Sequence, residues 1–491
     1  MKRTYLLTLL LSVISLSWAQ EEMPTYSDKQ LDSVMTVIQE SFELPGFAVG
    51  ILKDDQVFYA NGLGVQSLET QEPLTTQSLF HMASVSKPFV ATAIMQLVEK
   101  GKVKLEDKLT DHLPYFKMKD KRYKKITIGQ MLNHTSGIPD VEDYEWDKPQ
   151  FDDGAAERFA RSFTDSPLDF KPGKSFSYSN AAFDILAAVI AGASGMTFEE
   201  YMKLNIFQPL GMKNSTFYKP EVPEAIATAP HGMGDSLQME VIEFYPYNRR
   251  HAPSSTLHSN VEDMFQWARC YFNGGELNGN RIFSPASYQA LTTPTRKLND
   301  IRSISLSWFT GDFDGRPYYY HAGGDDGYST FFIVLPEEKS AVAIMGNNDN
   351  FNTFQAVLYL VDIFILHKPA KWTKGIAFDL KNIVLTEGVD SMKSFYIHAK
   401  NNMADAYDFK YNGLDEVGYG LLERGYHDKA LEVFLFQVEM EPEHSGWPDS
   451  VGDAYMAMEN EEKAIEWYEK ALAINPKQGF TKEKLKEIRN K

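Results

Sequence analysis

The chain contains 491 residues, of which 43% are hydrophobic and 24% charged, and its formal net charge at pH 7 is −18. This length predicts two or more domains, each large enough for its own core. The acidic balance argues against nucleic acid or an anionic membrane as the main partner. Cys270 is the only cysteine, which excludes an internal disulfide and a cysteine–zinc cluster. Its apolar helical surroundings predict a buried core thiol rather than a catalytic one.

Residues 1–19 have the pattern of a secretory signal peptide. A positively charged start is followed by an apolar stretch from Tyr5 to Leu16, and residues 17–19 have the small-x-small form of a cleavage site. The apolar stretch is too short to span a membrane comfortably. We therefore expect cleavage after Ala19, a periplasmic or secreted protein, and no stable membrane span.

The next segments predict a helix over Lys29–Glu40 and two strands, at residues 47–52 and 56–60. A second helix should begin near Ser84–Ser86, because Pro88 is tolerated only in the first turn of a helix. A short element follows over Lys124–Leu132.

Ser84 and Lys87 are spaced so that both side chains lie on one face of this second helix. The helix N-terminus favours an alkoxide and a lysine that releases its proton. Burial could lower the lysine pKa from its usual value of about 10.4 into the range of a useful base. Because a Ser-x-x-Lys spacing also arises by chance, its interpretation depends on the rest of the chain.

The middle of the chain is rich in helical patterns. Residues Ala181–Ala193 predict a buried helix, and Ser259 with Glu262 has capping-box spacing before a helix at about 260–272. His134 could be a metal ligand or a base, but no second ligand stands at a suitable spacing, which favours a structural loop histidine.

Two apolar strands, Thr330–Leu335 and Ala341–Met345, follow this helical region. Strands thus lie at both ends of a helix-rich middle. The predicted fold class is α+β, with one antiparallel sheet built from the two ends, flanking helices and a large helical insertion.

Residues 413–476 contain an internal repeat with a period of 34 residues, that of a tetratricopeptide repeat. The paired positions are Leu421 and Tyr455, Ala430 and Ala464, Leu431 and Ile465, Phe434 and Tyr468, Val438 and Leu472, and Pro442 and Pro476. Helical stretches at about 391–410 and 479–490 are expected to cap this all-α stack. Its groove suits a peptide or protein partner; the alternative is a packing appendage that stiffens the catalytic part or a dimer.

Three short motifs occur in one order: Ser84-Val85-Ser86-Lys87, Tyr178-Ser179-Asn180 and His321-Ala322-Gly323. This set resembles the serine β-lactamase and penicillin-binding protein superfamily. It is most similar to the class C β-lactamase-related branch, which includes D-alanyl-D-alanine carboxypeptidases, D-aminopeptidases and family VIII esterases. The resemblance extends to three flanking stretches, at residues 96–103, 131–139 and 207–212.

The resemblance covers roughly residues 25–365 and implies a hydrolase domain over 25–368. A linker and capping helix would follow over 369–412, and the repeat segment over 413–491. The implied enzyme is a secreted serine hydrolase without a metal or other cofactor, acting on a small ester, amide or peptide.

The resemblance also implies a role for each motif residue. Ser84 would be the nucleophile that forms an acyl-enzyme, Lys87 its base, and Tyr178 a proton shuttle to the leaving group. Asn180 would hold the substrate amide and orient Lys87. The third motif would line the substrate site with His321, Gly323 and Gly324, and the oxyanion hole would consist of the backbone N–H groups of Ser84 and Gly324.

His321 stands where many family members have lysine, so a permanent positive charge is missing. This weakens the case for penicillins or a free C-terminal D-alanine as substrate and leaves esters, amides and D-amino-acid peptides. With an ordinary pKa of about 6.5, His321 would make activity fall as it titrates near pH 6–7. Two alternatives remain: a true β-lactamase, and a catalytically weak penicillin- or peptide-binding protein whose repeat segment carries the function.

Overall fold

The computed structural model describes residues 26–234, 238–368, 370–409 and 413–490. The predicted signal peptide, residues 1–19, lies outside these ranges. The strands are β1 (Gly46–Lys53), β2 (Gln56–Gly64), β3 (Phe80–His81), β4 (His231–Met233), β5 (Met239–Val241), β6 (His258–Ser259), β7 (Glu276–Leu277), β8 (Asn280–Arg281), β9 (Arg296–Lys297), β10 (Ser303–Ile304), β11 (Phe309–Phe313), β12 (Arg316–Asp325), β13 (Tyr328–Leu335), β14 (Ser340–Gly346), β15 (Lys374–Gly375) and β16 (Tyr407–Asp408).

The α-helices divide between the middle of the chain and its C-terminal part. They are α1 (Asp28–Ser41), α2 (Lys87–Glu99), α3 (Leu109–His112), α4 (Ile128–Leu132), α5 (Ala155–Ser162), α6 (Asn180–Ser194), α7 (Phe198–Met202), α8 (Gln208–Leu210), α9 (Ala252–Ser255), α10 (Val261–Phe272), α11 (Pro285–Thr292), α12 (Thr353–Leu360), α13 (Ala377–Thr386), α14 (Val389–Asn402), α15 (Gly413–Glu423), α16 (His427–Met440), α17 (Gly446–Ala457), α18 (Glu461–Ile474) and α19 (Gly479–Asn490).

An antiparallel sheet joins the two ends of the N-terminal domain, which confirms the predicted fold class. Its strand order is β2-β1-β14-β13-β12-β11-β10-β9, and β1 pairs with β14 so that Val49 lies opposite Ile344. Strands β13 and β14 are buried along their whole length. Since side chains alternate between the two faces of a strand, helices must cover both faces of this sheet.

Two apolar cores provide that cover. On one face, Phe331 and Ile333 pack with α1 and α12. On the other, Phe332 packs with α2, α6 and α10, where Phe89 stacks on Trp267 with ring centroids 4.1 Å apart. The predicted helices near the N-terminus and in the middle of the domain are present as α1, α2, α6 and α10, whereas α12 was not predicted. Cys270 is buried in α10 as predicted.

Helix α10 is capped differently from the prediction. Asn260, not Ser259, is the N-cap residue, and its side chain accepts from the backbone N–H of Asp263. Ser259 belongs to β6, and its hydroxyl pairs with Ser215 at 2.9 Å. The predicted capping box is wrong because Ser259 lies in a strand and its hydroxyl forms a hydrogen bond with Ser215 instead.

Two elements near the predicted active site have different bounds from those expected. Residues Ala83–Ser86 form a 3-10 turn and α2 starts at Lys87, with Pro88 in its first turn. The predicted element at Lys124–Leu132 divides into a 3-10 turn and α4.

The C-terminal helices follow the predicted repeat. Helices α15 and α16 form one antiparallel pair and α17 and α18 the next, and the equivalent residues Ala430 and Ala464 are both fully buried. Helix α19 packs Leu485 against Tyr468. The expected helix at 391–410 is α14, which ends at Asn402, and α13 precedes it without having been predicted.

Several hydrogen bonds join the C-terminal part to the sheet domain. The Trp372 indole donates to Ser41 Oγ at 2.9 Å, and Asn382 donates to Glu43 at 3.2 Å. Arg424 Nη2 donates to the carbonyl of Met233 at 3.1 Å.

Among the residues that the structure describes, no single helix is long and apolar enough to span a membrane. One pair, Asn180–Ser194 with Phe198–Leu210, passes by length and composition when taken together, with a bend of 73° between its members.

The repeat pairs a glycine with a buried aromatic ring in both helix pairs, and this close approach is testable. A Cβ at Gly418 would lie 2.2 Å from the Phe434 ring, and one at Gly452 would lie 2.4 Å from the Tyr468 ring. We expect Gly418→Ala and Gly452→Ala each to destabilise the helices by about 1–3 kcal/mol through overpacking. Calorimetric unfolding of the full chain measures the effect.

Gly420→Ala is the matched control on the same helix α15. The nearest atom to its added Cβ is the Arg424 side chain at 3.9 Å. Alanine is favoured over glycine in a helix by about 1 kcal/mol, so this variant should be as stable as the parent or more so. Equal effects of all three substitutions would contradict the packing argument.

Candidate active site

Ser84 and Lys87 are in direct contact at the start of α2. Lys87 Nζ donates to Ser84 Oγ at 2.8 Å and to the backbone carbonyl of Ser254 at 2.7 Å. The Lys87 side chain is fully buried. Burial lowers the pKa of Lys87 to about 8, while the charges of Asp184 and Asp325 act in the opposite direction. A neutral lysine is therefore accessible near neutral pH.

The backbone next to Ser84 is held in a strained conformation. Ala83 has φ of 46°, in the left-handed region that an L-residue with a side chain rarely adopts. Strand β12 packs closely against this turn, because a Cβ at Gly323 would lie 2.4 Å from the carbonyl oxygen of Met82. Only glycine at position 323 permits this approach, which brings the neighbouring Gly324 to the edge of the site.

Tyr178 is placed by a histidine from another loop. The His134 ring stacks on the Tyr178 ring with centroids 4.2 Å apart, and His134 Nδ1 accepts from the backbone N–H of Ser179 at 3.1 Å. Lys87 Nζ lies 4.9 Å from the centroid of the Tyr178 ring. Burial raises the pKa of Tyr178, and its hydrogen bond with Ser84 partly opposes that rise. His134 thus has the structural role that its spacing predicts.

Asn180 does not make the contact expected of it. Its side-chain amide donates to Asp140 at 3.2 Å and to the Tyr144 hydroxyl at 2.6 Å, and its backbone N–H donates to Asp140 at 2.5 Å. In this structure the Ser254 carbonyl holds Lys87 in its place. The predicted orientation of Lys87 by Asn180 is therefore wrong here, because the acidic partner Asp140 draws the amide away.

His321 lies beside Lys87 and Tyr178 at the strand edge. Its Nδ1–H donates to the carbonyl of Ala322 at 2.7 Å, and Nε2 is buried without a hydrogen-bond partner among the described residues. Burial and the charge of Lys87 lower the pKa of His321 to about 3. The predicted titration near pH 6–7 is wrong, since the folded protein keeps this imidazole neutral throughout that range.

A buried network that the motifs do not include supports Lys87. The Asp184 carboxylate accepts from the backbone N–H of Ser254 at 3.0 Å and from His251 Nδ1 at 2.8 Å. Asp184 and His251 are fully buried, and the carbonyl of the same Ser254 holds Lys87. One signal in the sequence could have revealed it: an aspartate inside the otherwise apolar helix α6.

A second carboxylate lies at the end of strand β12. Asp325 follows Gly324 directly, and its Oδ2 contacts His81 Nε2 at 2.7 Å and also accepts from the Ser255 hydroxyl. The contact with Ser255 connects the end of β12 to the residue that follows Ser254. In the described ranges no group of three or more His, Cys, Asp or Glu side chains is arranged to hold a metal ion.

The profile of the β-lactamase family matches residues 31–364. The chain belongs to the β-lactamase family. A tetratricopeptide repeat profile matches residues 450–478, within the predicted repeat segment. Membership of this family supports a serine hydrolase or penicillin-binding role.

Two curated proteins are similar to this chain over most of its length. Protein flp of Staphylococcus aureus (strain MW2) is 25% identical over 345 residues, which are 70% of this chain and 67% of that protein. Penicillin-binding protein 4* of Bacillus subtilis is 27% identical over 360 residues, covering 70% of this chain and 76% of the relative.

Two solved structures are also similar to this chain. The octameric penicillin-binding protein homologue from Pyrococcus abyssi has a TM-score of 0.63 and 25% identity, covering 70% of this chain and 78% of its own. The penicillin-binding protein from Bacillus halodurans has a TM-score of 0.58 at 25% identity, covering 66% of this chain and 98% of its own.

The Asp184 network predicts the pH dependence of the site. The rate at which a fluorophosphonate reacts with Ser84 should rise with pH around the Lys87 pKa of about 8. The negative charge of Asp184 raises that pKa, so Asp184→Asn should move the midpoint to lower pH. The measurement is the reaction rate against pH, and a midpoint does not depend on how much of the variant folds.

Asp165→Asn, at an exposed aspartate, is the matched control and should leave the midpoint unchanged. The parent should show no transition at pH 6–7, because His321 stays neutral there. An unchanged midpoint in Asp184→Asn would mean that the carboxylate does not act on Lys87.

Proposed function

We propose that this protein is a secreted serine hydrolase that cleaves an ester, amide or peptide bond through an acyl-Ser84 intermediate. The observation that carries the proposal is the 2.8 Å contact between Lys87 Nζ and Ser84 Oγ, with a lysine pKa of about 8. A serine hydroxyl becomes an effective nucleophile when an adjacent base removes its proton.

In the acylation step neutral Lys87 takes the Ser84 proton while Oγ forms a bond to the substrate carbonyl carbon. The oxygen of that carbonyl becomes an oxyanion, for which the backbone N–H groups of Ser84 and Gly324 are the proposed donors; each such donor contributes about 3 kcal/mol. Collapse of this intermediate breaks the bond to the leaving group, which takes up a proton through Tyr178. The raised pKa of Tyr178 suits this role because its hydroxyl stays protonated.

Water then attacks the acyl-Ser84 ester, and the same base receives a proton from it. The acid product leaves and Ser84 regains its hydrogen, so every proton is returned by the end of the cycle. Proton transfer by a positioned base of this kind contributes roughly 10²–10⁴-fold to the rate.

The charges around the site bear on its substrate. The imidazole of His321 is neutral, and the carboxylates of Asp184, Asp325 and Asp140 all act on Lys87. An acidic setting in which the third motif carries a neutral imidazole in place of a lysine disfavours a substrate carboxylate. We therefore place neutral esters, amides and D-amino-acid peptides ahead of penicillins and of peptides with a free C-terminal D-alanine.

The location and the repeat segment belong to the same proposal. The signal-like residues 1–19 support export to the periplasm or beyond, with cleavage after Ala19. The tetratricopeptide match at 450–478 supports a protein or peptide partner for the C-terminal helices.

The acyl-serine proposal is tested by mass spectrometry of the intact protein. A fluorophosphonate should add one covalent group to the parent and none to Ser84→Ala. Lys87→Met should form the adduct roughly 10²–10⁴-fold more slowly, because it lacks the base. Ser175→Ala, at an exposed serine near the second motif, should react like the parent.

A β-lactam in the same assay separates the alternatives. Rapid turnover would indicate a true β-lactamase, and a stable adduct on Ser84 would indicate a penicillin-binding protein. If neither reagent modifies Ser84, the hydrolase proposal is wrong.

A further inference from the structure

A pocket lies at the junction between the β-lactamase domain and the C-terminal helices. Its volume is about 350 Å³, and none of the residues that line it belongs to the three active-site motifs. Phe42 and Met233 line it from the first domain, and Phe378 and Val417 from helices α13 and α15. Ligand sites of about 300–1,000 Å³ occur preferentially at such junctions.

Two cations face this junction pocket. Lys381 Nζ lies 4.6 Å from the centroid of the Phe378 ring, donates to the Met233 sulfur at 3.7 Å, and forms no direct ion pair with a carboxylate in the described ranges. Arg424 is held in place by the carbonyls of Gly420 and Met233, at 2.9 and 3.1 Å. Burial lowers the pKa of Lys381. A half-buried ammonium whose only hydrogen-bond partner in the described ranges is a thioether sulfur is poorly compensated, and an anionic guest would reduce that cost.

Two carboxylates line the same pocket, those of Glu416 and Glu423, and the Glu423 carboxylate lies 3.9 Å from Arg424 Nη1. Glu416 lies on α15 one helical turn before Gly420, and burial raises its pKa while the charge of Lys381 lowers it. Glu416 in turn raises the pKa of Lys381. A guest with negative charge alone would be repelled by Glu416, and an uncharged guest would desolvate both side chains. A guest that carries one positive and one negative charge can pair with both Lys381 and Glu416.

We propose that the junction pocket binds the charged ends of a zwitterionic, apolar amino acid or short peptide. The carboxylate of the ligand pairs with Lys381 and Arg424, and its ammonium group pairs with Glu416. The apolar side chain of the ligand packs between the rings of Phe42 and Phe378. Because this site uses no active-site residue, it does not depend on acylation of Ser84.

Isothermal titration calorimetry on the full chain tests the charge requirement. Phenylalanine is the probe, with N-acetylphenylalanine and phenylalanine amide as analogues that each lack one charge. Each analogue should bind about tenfold or more weakly, since a charge-assisted contact is lost. The dipeptide alanyl-phenylalanine, titrated in parallel, shows whether the pocket prefers a free amino acid or a peptide.

Variants assign each charge to a residue. Lys381→Met should weaken phenylalanine binding and remove the preference for a free carboxylate. Glu416→Gln should remove the preference for a free ammonium group. The matched control is Lys470→Met, because Lys470 also stacks on an aromatic ring, 3.7 Å from the centroid of Trp467, but lies outside the pocket.

Ser84→Ala should bind phenylalanine like the parent, and this separates the proposal from the hydrolase proposal. Loss of binding in Ser84→Ala would place the ligand in the active site and overturn the inference. Equal binding of all three probes, parent-like binding by Lys381→Met, or no heat with phenylalanine or the dipeptide would also overturn it.

Discussion

The candidate active site depends on the burial of one lysine. Lys87 is placed in the apolar layer between α2 and α6, where its pKa falls to about 8. A lysine whose pKa is lower in the folded than in the unfolded chain destabilises the fold. This cost is complete when the pH is below the folded-state pKa and disappears when the pH is above the unfolded-state pKa. Between about pH 8 and the model-peptide value near 10.4, stability should therefore rise with pH. The carboxylate of Asp184 and the carbonyl of Ser254 reduce this cost.

The sheet explains how distant segments reach that lysine. Pairing of β1 with β14 brings both ends of the domain together and leaves β12 next to the turn that carries Ser84. Thr330 Oγ1 donates to the carbonyl of Met82 at 2.8 Å, and the lack of a side chain at Gly323 permits the contact. The helical insertion between the two halves of the sheet contributes Tyr178 and His134 to the site. Chain order and spatial order differ, which is why no local pattern contains the complete site.

The sequence predicts those features that local rules determine. Residue spacing and Pro88 indicate the helix that carries Lys87, and alternation of apolar residues indicates the strands. Features that depend on tertiary contacts were missed or wrong. The pKa of His321 depends on its burial, and the hydrogen bonds of Asn180 depend on the nearby Asp140. The support of Lys87 comes from Asp184, which lies far away in the chain. The 34-residue repeat could be detected in the sequence because each helix pair must bury the same positions. Helix α13 lies outside the repeat, so no periodic pattern indicated it.

The C-terminal helices and the end of the active-site strand share one framework. A Cβ at Gly327 would lie 2.3 Å from Pro230, so the turn after β12 is packed against the residue before β4. His231 then fixes β4 by accepting from the backbone N–H of Leu68 and donating to the carbonyl of Asn347. Two residues later the Met233 carbonyl receives Arg424 from α15. The C-terminal helices are thus attached to the same hairpin, β4 and β5, that packs against the turn beyond Asp325.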